Sequence, residues 1–380
     1  MGRLKKYFSA FCGVALVFSV SAAQSEAGGS YIKKHSSPPS VKLDEPPKLD
    51  DANSFSMILL GDPQSYVKFD FNQPLFEFMT AWCAAQKDKL NVKTVLCTGD
   101  LVEQNDIVIS NGGNLYGGQE CGNQPSSLQW KSVSRAFERL DNIYPYIVAT
   151  GNHDYGYDAS ETRQTQFGKY FDVSRNNILW SRHLISAFPN SEGRATLENS
   201  AYEFPAKNWG KIIVLVLEFS PRDEVLEWAK KLCSRKEFSS SRIIVLTHAI
   251  LNTKGELITK DKYKAACNSG KEIFDKFMSQ CPNVKLAICG HAGNEKTMAS
   301  FRIEKRADGG NLPIMMFNSQ AISGWNGNGG DCWLRILEFK PDGKTLSVKT
   351  YSPLFAASQK TQHLAWEKSP EHEFDIEIEK

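Results

Sequence analysis

Apolar positions fall into short runs that alternate between two periods, and most of the strand-length runs stop at a glycine or threonine. Ser54–Leu60, Val92–Thr98 and Tyr146–Ala149 are apolar runs of strand length. Between them Pro74–Leu90 has helical spacing, which puts Leu75, Phe78, Trp82 and Cys83 on one face. Ser127–Leu140 does the same with Trp130, Val133, Phe137 and Leu140. Ile212–Leu217 is apolar without interruption, the pattern of a strand buried on both faces. Ser220-Pro221-Arg222-Asp223 predicts a helix start, with Ser220 as N-cap and Pro221 at the first helical position. Further strands are expected at Ile243–Leu246, Val284–Ile288 and Pro313–Phe317, with a helix over Lys271–Cys281. Trp333–Phe339 and Leu346–Tyr351 flank Pro341-Asp342-Gly343, a hairpin signal. The alternation predicts an α/β protein with two sheets sandwiched between helices.

The polar residues that end these runs form a series. "LLGDPQ" closes one strand, "VLCTGDLVE" the next and "IVATGNHD" the third; "IIVLTHAI" and "LAICGHAGN" follow. In α/β sheets ligands gather beyond the carboxyl ends of strands. Asp62, Asp100, Asn152, His153, His248 and His291 are therefore expected to converge there. Glycines stand before Asp62, Asp100, Asn152 and His291, and permit tight turns that aim the next side chain at a common point. Carboxylate, amide and imidazole donors suit one or two divalent metal ions of the Mn, Fe, Zn or Mg kind rather than a thiolate cluster. No GxxxxGK[ST], HExxH or GxSxG stretch points to another chemistry.

This string of motifs resembles the calcineurin-like metallophosphoesterase superfamily, over about residues 55–320. The motifs stand here as Gly61-Asp62-Pro63-Gln64, Gly99-Asp100-Leu101-Val102-Glu103, Gly151-Asn152-His153-Asp154, Thr247-His248 and Gly290-His291-Ala292-Gly293. The "DPQ" start and the late "FNSQ" segment are similar to an exported bacterial group within it. The resemblance implies a sandwich of two mixed β-sheets flanked by helices. It implies hydrolysis of a phosphate mono- or diester by metal-activated hydroxide, with His153 as general acid oriented by Asp154. One metal would take Asp100, Asn152, His248 and His291. The other would take Asp62, a shared Asp100 and two histidines that this chain replaces with Gln64 and Gly293. The Gln64 side is expected to hold its ion weakly or only with substrate, with Glu103 or Asn105 as candidate substitutes. A non-catalytic protein of the same fold, binding phosphate or another anion through one metal, is the alternative.

Composition and the chain ends add a setting. Lys and Arg number 45 against 43 Asp and Glu, a net charge of +2, so bulk nucleic-acid binding is not expected and a small phosphorylated substrate is. Arg3, Lys5 and Lys6 precede an apolar run from Phe8 to Val20 and small residues up to Ala27. That pattern predicts a signal peptide over 1–27, cut after Ala23 or Ala27. The run is shorter than the roughly 20 residues that span a bilayer, so no stable membrane insertion is expected after cleavage. The expected location is exported, periplasmic or secreted. Residues 28–53 read as a Pro-rich exposed spacer, 54–356 as the metallophosphoesterase domain and 357–380 as a C-terminal tail. Cys83, Cys97, Cys121, Cys233, Cys267, Cys281, Cys289 and Cys332 permit disulfides in that setting, with Cys97 and Cys289 also readable as buried thiols.

Two long insertions, Asn105–Pro125 and Tyr155–Trp209, stand beside the expected site. Within them Arg163 is a candidate phosphate clamp or a solvated arginine. Tyr155 and Tyr157 are candidate stacking residues or packing residues. The Gly-rich stretch Gly324–Gly330 either closes over the site or connects strands.

Overall fold

The computed structural model describes residues 46–108, 122–322, 324–325 and 327–379. The expected signal peptide, most of the spacer and Cys121 lie outside the described residues. The strands, in chain order, are β1 (Phe55–Leu60), β2 (Val92–Cys97), β3 (Tyr146–Val148), β4 (Leu184–Phe188), β5 (Asn199–Ala206), β6 (Gly210–Val216) and β7 (Arg242–Leu246), followed by β8 (Val284–Cys289), β9 (Ala299–Lys305), β10 (Asn311–Phe317), β11 (Leu334–Phe339), β12 (Thr345–Tyr351), β13 (Trp366–Glu367) and β14 (Glu373–Glu377).

They form two mixed sheets. The first runs β13-β12-β11-β1-β2-β3, with β14 also on β12; the second runs β4-β5-β6-β7-β8-β10-β9. Within the first, β1, β2 and β3 are parallel; within the second, β6, β7, β8 and β10 are. Strand alternation divides the second sheet between two cores. Ile212, Val214, Val216, Ile244, Leu246 and Ile288 pack into the large core shared with the first sheet. Ile213, Leu215, Ile243, Val245 and Ala287 pack with the helices Asp223–Cys233 and Gly270–Lys276. The uninterrupted apolar run is thus a strand buried on both faces, as its sequence predicts.

Several local expectations change. The helix Gln73–Ala85 buries Phe76, Met79, Thr80 and Cys83, while Phe78 is 37% exposed and Trp82 turns toward Tyr351. Its inner face is therefore rotated from the one the spacing suggests, with Trp82 set at the margin of the core against Tyr351 at the end of β12. Ser220 is no N-cap: it has φ +43, donates its hydroxyl to the Asn268 carbonyl and accepts the Cys267 N–H, and the helix begins at Asp223. The helix expected over Lys271–Cys281 starts instead at Gly270, where Ser269 and Glu272 form a capping box, and ends at Lys276.

The segment expected to be a tail supplies β13 and β14 to the first sheet. At the other end, the Asp50 N–H donates to Glu338 at 2.9 Å, so the last residues of the expected spacer are tied to β11. Cys83, Cys97, Cys233, Cys267, Cys281, Cys289 and Cys332 are free thiols, and all but Cys267 are buried. Among the described residues no helix is long and apolar enough to cross a membrane.

Candidate metal centre

The parallel strands of both sheets bring their exit residues together, with Asn152 against His248 and Asp62 against His291. From the first sheet come Asp62 after β1, Asp100 after β2, and Asn152 and His153 after β3; from the second come His248 after β7 and His291 after β8. The turns are tight. Asp100 has φ +50 and His291 φ +65, left-handed conformations that cost about 1–3 kcal/mol for residues with side chains and cluster at functional sites. Gly151 is required by close approach rather than by its turn: a Cβ there would lie 2.1 Å from Asp100 Oδ1. The same holds at Gly290, where a Cβ would lie 2.2 Å from Asp62 Oδ1.

His248 is the hub. Its Nδ1–H donates to the Thr98 carbonyl at 2.9 Å, which leaves Nε2 facing inward. Asp100 Oδ2, Asn152 Oδ1 and His291 Nδ1 each lie 3.1 Å from that one nitrogen. With the His291 hydrogen on Nε2, Asp100 Oδ2, Asn152 Oδ1 and the two facing ring nitrogens all present lone pairs, and such a set favours a positive charge at its centre. In the chain alone a proton supplies it: burial lowers the His248 pKa, but Asp100 and Asp62 outweigh burial and push it up to about 10. Burial and the charge on His248 press His291 down to about 3. Burial works against ionisation of Asp100, yet His248 and His153 hold its carboxyl well below the usual range. A divalent cation can replace that single proton, and the nitrogen–oxygen donor set suits Zn, Fe or Mn.

The family model for calcineurin-like phosphoesterases matches residues 55–293. The chain belongs to the calcineurin-like phosphoesterase family. The uncharacterized protein YvnB of Bacillus subtilis (strain 168) is 26% identical over 317 residues, a match that takes in 82% of this chain. The aligned part is only 21% of that protein, so the chain spans about a fifth of the length of the curated relative it matches. A dimetal phosphatase from Danio rerio is similar at 11% identity and TM-score 0.47, covering 86% of this chain and 99% of its own. A purple acid phosphatase from yellow lupin is similar at 12% identity and TM-score 0.42, covering 80% and 52%.

In this chain, Asp100, His248 and His291 have ligand atoms within 4.8 Å of one another, and Asn152 joins them through His248. His153 stands at the rim, partly exposed. Its Nδ1 donates to the Glu103 carbonyl at 2.7 Å, and its backbone N–H donates to Asp100 Oδ1 at 2.9 Å. Burial lowers the His153 pKa, but Asp100, Glu103 and Asp158 outweigh it and hold the ring above its ordinary value. Asp154 does not touch that ring. It accepts the N–H groups of Gly151 at 2.7 Å, Leu101 at 2.8 Å and Val102 at 3.2 Å, and so ties the Asp100 loop to the Asn152 turn. The orientation expected of Asp154 comes from the Glu103 carbonyl instead.

Asp62 is enclosed by donors: Thr98 Oγ1 at 2.6 Å on Oδ1, and on Oδ2 the His291 N–H at 2.9 Å and Asn318 Nδ2 at 2.7 Å. Gln64 is buried, and its Oε1 has no hydrogen-bond partner among the described residues. Neither suggested substitute is spare. Glu103 pairs with buried Lys68 at 3.4 Å, and Asn105 donates to Gly156 and accepts from Gln166.

Arg163 is neither a clamp nor a solvated arginine: it pairs with Glu218 at 2.8 Å and donates to the Phe219 and Ala265 carbonyls. Tyr155 is buried on Thr150 and Glu198, whereas Tyr157 is 49% exposed. Three neighbours of the site escape the motif pattern: Phe219 lies 5.8 Å from the His248 ring, Tyr263 6.0 Å from the His291 ring, and Asn318 on Asp62. Asn318 could have been found, because "IMMFNS" ends an apolar strand in the same way as "VLTH".

Proposed function

We propose that this protein hydrolyses a small phosphate ester, using a divalent metal held by Asp100, Asn152, His248 and His291 and a proton from His153. The observation that carries this reading is the convergence of Asp100 Oδ2, Asn152 Oδ1 and His291 Nδ1 on His248 Nε2, each at 3.1 Å, which gathers four potential metal-ligand atoms in one place. When bound, the ion would acidify a water and polarise a phosphoryl oxygen. The residues of the chain supply the rest. His153, with its Nδ1–H engaged by Glu103, keeps Nε2 for the leaving-group oxygen. Its raised pKa supports the protonated ring that a general acid needs at neutral pH. His153 and His291 are partly exposed while Asp100, Asn152 and His248 are buried, so substrate would approach from the histidine side.

The test is hydrolysis of p-nitrophenyl phosphate and of its bis-ester with added Mn, measured beside metal content and an Asn152→Ala control. Metal-dependent turnover abolished by Asn152→Ala is expected. Bound metal without turnover on either ester would favour the second reading, an anion-binding protein, which the replacement of two family histidines by Gln64 and Gly293 supports. An exported setting is part of the same proposal and is supported by the basic, apolar and small-residue pattern of residues 3–27. N-terminal sequencing of the mature protein checks it.

A further inference from the structure

We propose that the centre holds a single ion and that the Asn318 amide, where a second cation would stand, occupies Asp62 as a hydrogen-bond donor; this rests on the metal-dependent reading above. In the two-ion arrangement that the motifs imply, Asp62 would turn a lone pair to metal. Here three donors take three of the roughly four lone-pair positions of its carboxylate. Gly290 lets the turn pass close to this carboxylate, since a Cβ there would lie 2.2 Å from Oδ1.

The Asn318 amide cannot be reversed without loss. Its Oδ1 accepts the Gln320 N–H at 3.1 Å, and its Nδ2 donates to Asp62 at 2.7 Å and to the His291 carbonyl at 3.2 Å. Reversal would set oxygen against carboxylate. In this orientation Asn318 presents hydrogens where a metal needs lone pairs.

The position is built in by topology. β10 runs parallel beside β8, so the residue after Phe317 arrives next to the Gly290–His291 turn. Asn318 is 1% exposed, and it also fills the space in front of Gly293. A Cβ at 293 would meet the Asn318 backbone oxygen at 3.1 Å and its Nδ2 at 3.5 Å. The glycine is therefore a neighbour of the asparagine: a ligand side chain at 293 would crowd the Asn318 backbone oxygen and lie alongside its amide. Asp62 becomes a positioning residue. By holding the His291 N–H it fixes a ligand whose backbone sits at φ +65.

The experiment is metal stoichiometry by mass spectrometry after Mn loading and desalting, with and without inorganic phosphate. Wild type is expected to retain one ion per chain in both conditions. The double variant Gln64→His, Gly293→His is expected to retain one. Adding Asn318→Ala to it is expected to raise the count to two, with circular dichroism confirming the fold of each variant. Two ions in wild type, with or without phosphate, overturn the proposal while leaving metal-dependent hydrolysis standing. A second ion in the double variant, or only one in a folded triple variant, overturns the role given to Asn318. No ion in wild type and no turnover overturn the functional reading itself. If the variants fail to fold, the wild-type count alone decides.

Discussion

The Nδ1 of His153 lies 2.7 Å from the carbonyl oxygen of Glu103, and that contact fixes which nitrogen of the ring faces outward. A carbonyl only accepts, so Nδ1 carries hydrogen in either charge state and Nε2 gains or loses the transferable proton. Replacing His153 with glutamine should therefore lower kcat by about 10²–10⁴-fold on alkyl phosphates, whose leaving groups need a proton, and by less on p-nitrophenyl phosphate. Metal content should be unchanged. A leaving-group series checks this; an equal loss on every ester would mean that His153 binds substrate rather than protonating it.

The segment that supplies the Glu103 carbonyl is itself anchored. The Glu103 carboxylate faces Lys68 Nζ at 3.4 Å with both side chains buried, and the Glu103 N–H donates to Gln129. Lys68→Met would leave the carboxylate buried without its cation, at a cost of about 3–5 kcal/mol. The double variant Lys68→Met, Glu103→Gln should recover part of that. Urea denaturation of the three proteins measures it, and additive losses would rule out direct coupling.

Asp154 offers a test that separates two roles. Its carboxylate is taken up by three backbone N–H groups rather than by the His153 ring. Asp154→Asn turns an NH2 group toward a donor, costing about 1–3 kcal/mol of stability. It should also weaken metal binding, because the Asp100 loop and the Asn152 turn lose their tie. The basic limb of the kcat/KM–pH profile should stay where it is. A displaced limb with unchanged metal affinity would return the orienting role to Asp154.

The strand ends were legible because burial and chemistry write different alphabets. Buried parallel strands demand apolar runs, so a polar residue at their exit stands out, and Asp62, Asp100, Asn152, His248 and His291 all stood out in this way. Contacts made across the fold were less legible. Nothing near Phe78 in the sequence says that Trp82 will turn to Tyr351 or that the helix face will be rotated. Nothing in "GNHD" says that the acid will bind the backbone of the preceding loop instead of the neighbouring ring. β4 and the outer half of β9 carry half-exposed residues and β5 carries Pro205, so their signal was too weak to predict them. Asn318 lies 256 positions from Asp62, and only the packing of β10 beside β8 brings them together.

A buried acid away from the metal sets a pH dependence of stability. Glu198 is 1% exposed and accepts Tyr155 Oη at 2.6 Å, Asn190 Nδ2 at 3.0 Å and Thr196 Oγ1 at 3.0 Å. Burial raises its pKa from the ordinary 4.5, Glu218 adds to the rise, and the hydrogen bonds offset it only in part. The folded chain therefore binds this proton more tightly than the unfolded chain does. The stability it contributes is complete below pH 4.5 and is lost as pH climbs through the raised value. The loss amounts to about 1.4 kcal/mol for each pH unit that separates the folded from the unfolded pKa. Glu198→Gln keeps an acceptor for Asn190 and Thr196 and offers an amide donor to the Tyr155 oxygen, while removing the titration. Its unfolding free energy, compared with wild type by denaturant titration at several pH values, should show no advantage at pH 4 and a growing one toward pH 8. A constant difference across that range would mean that Glu198 does not titrate within it.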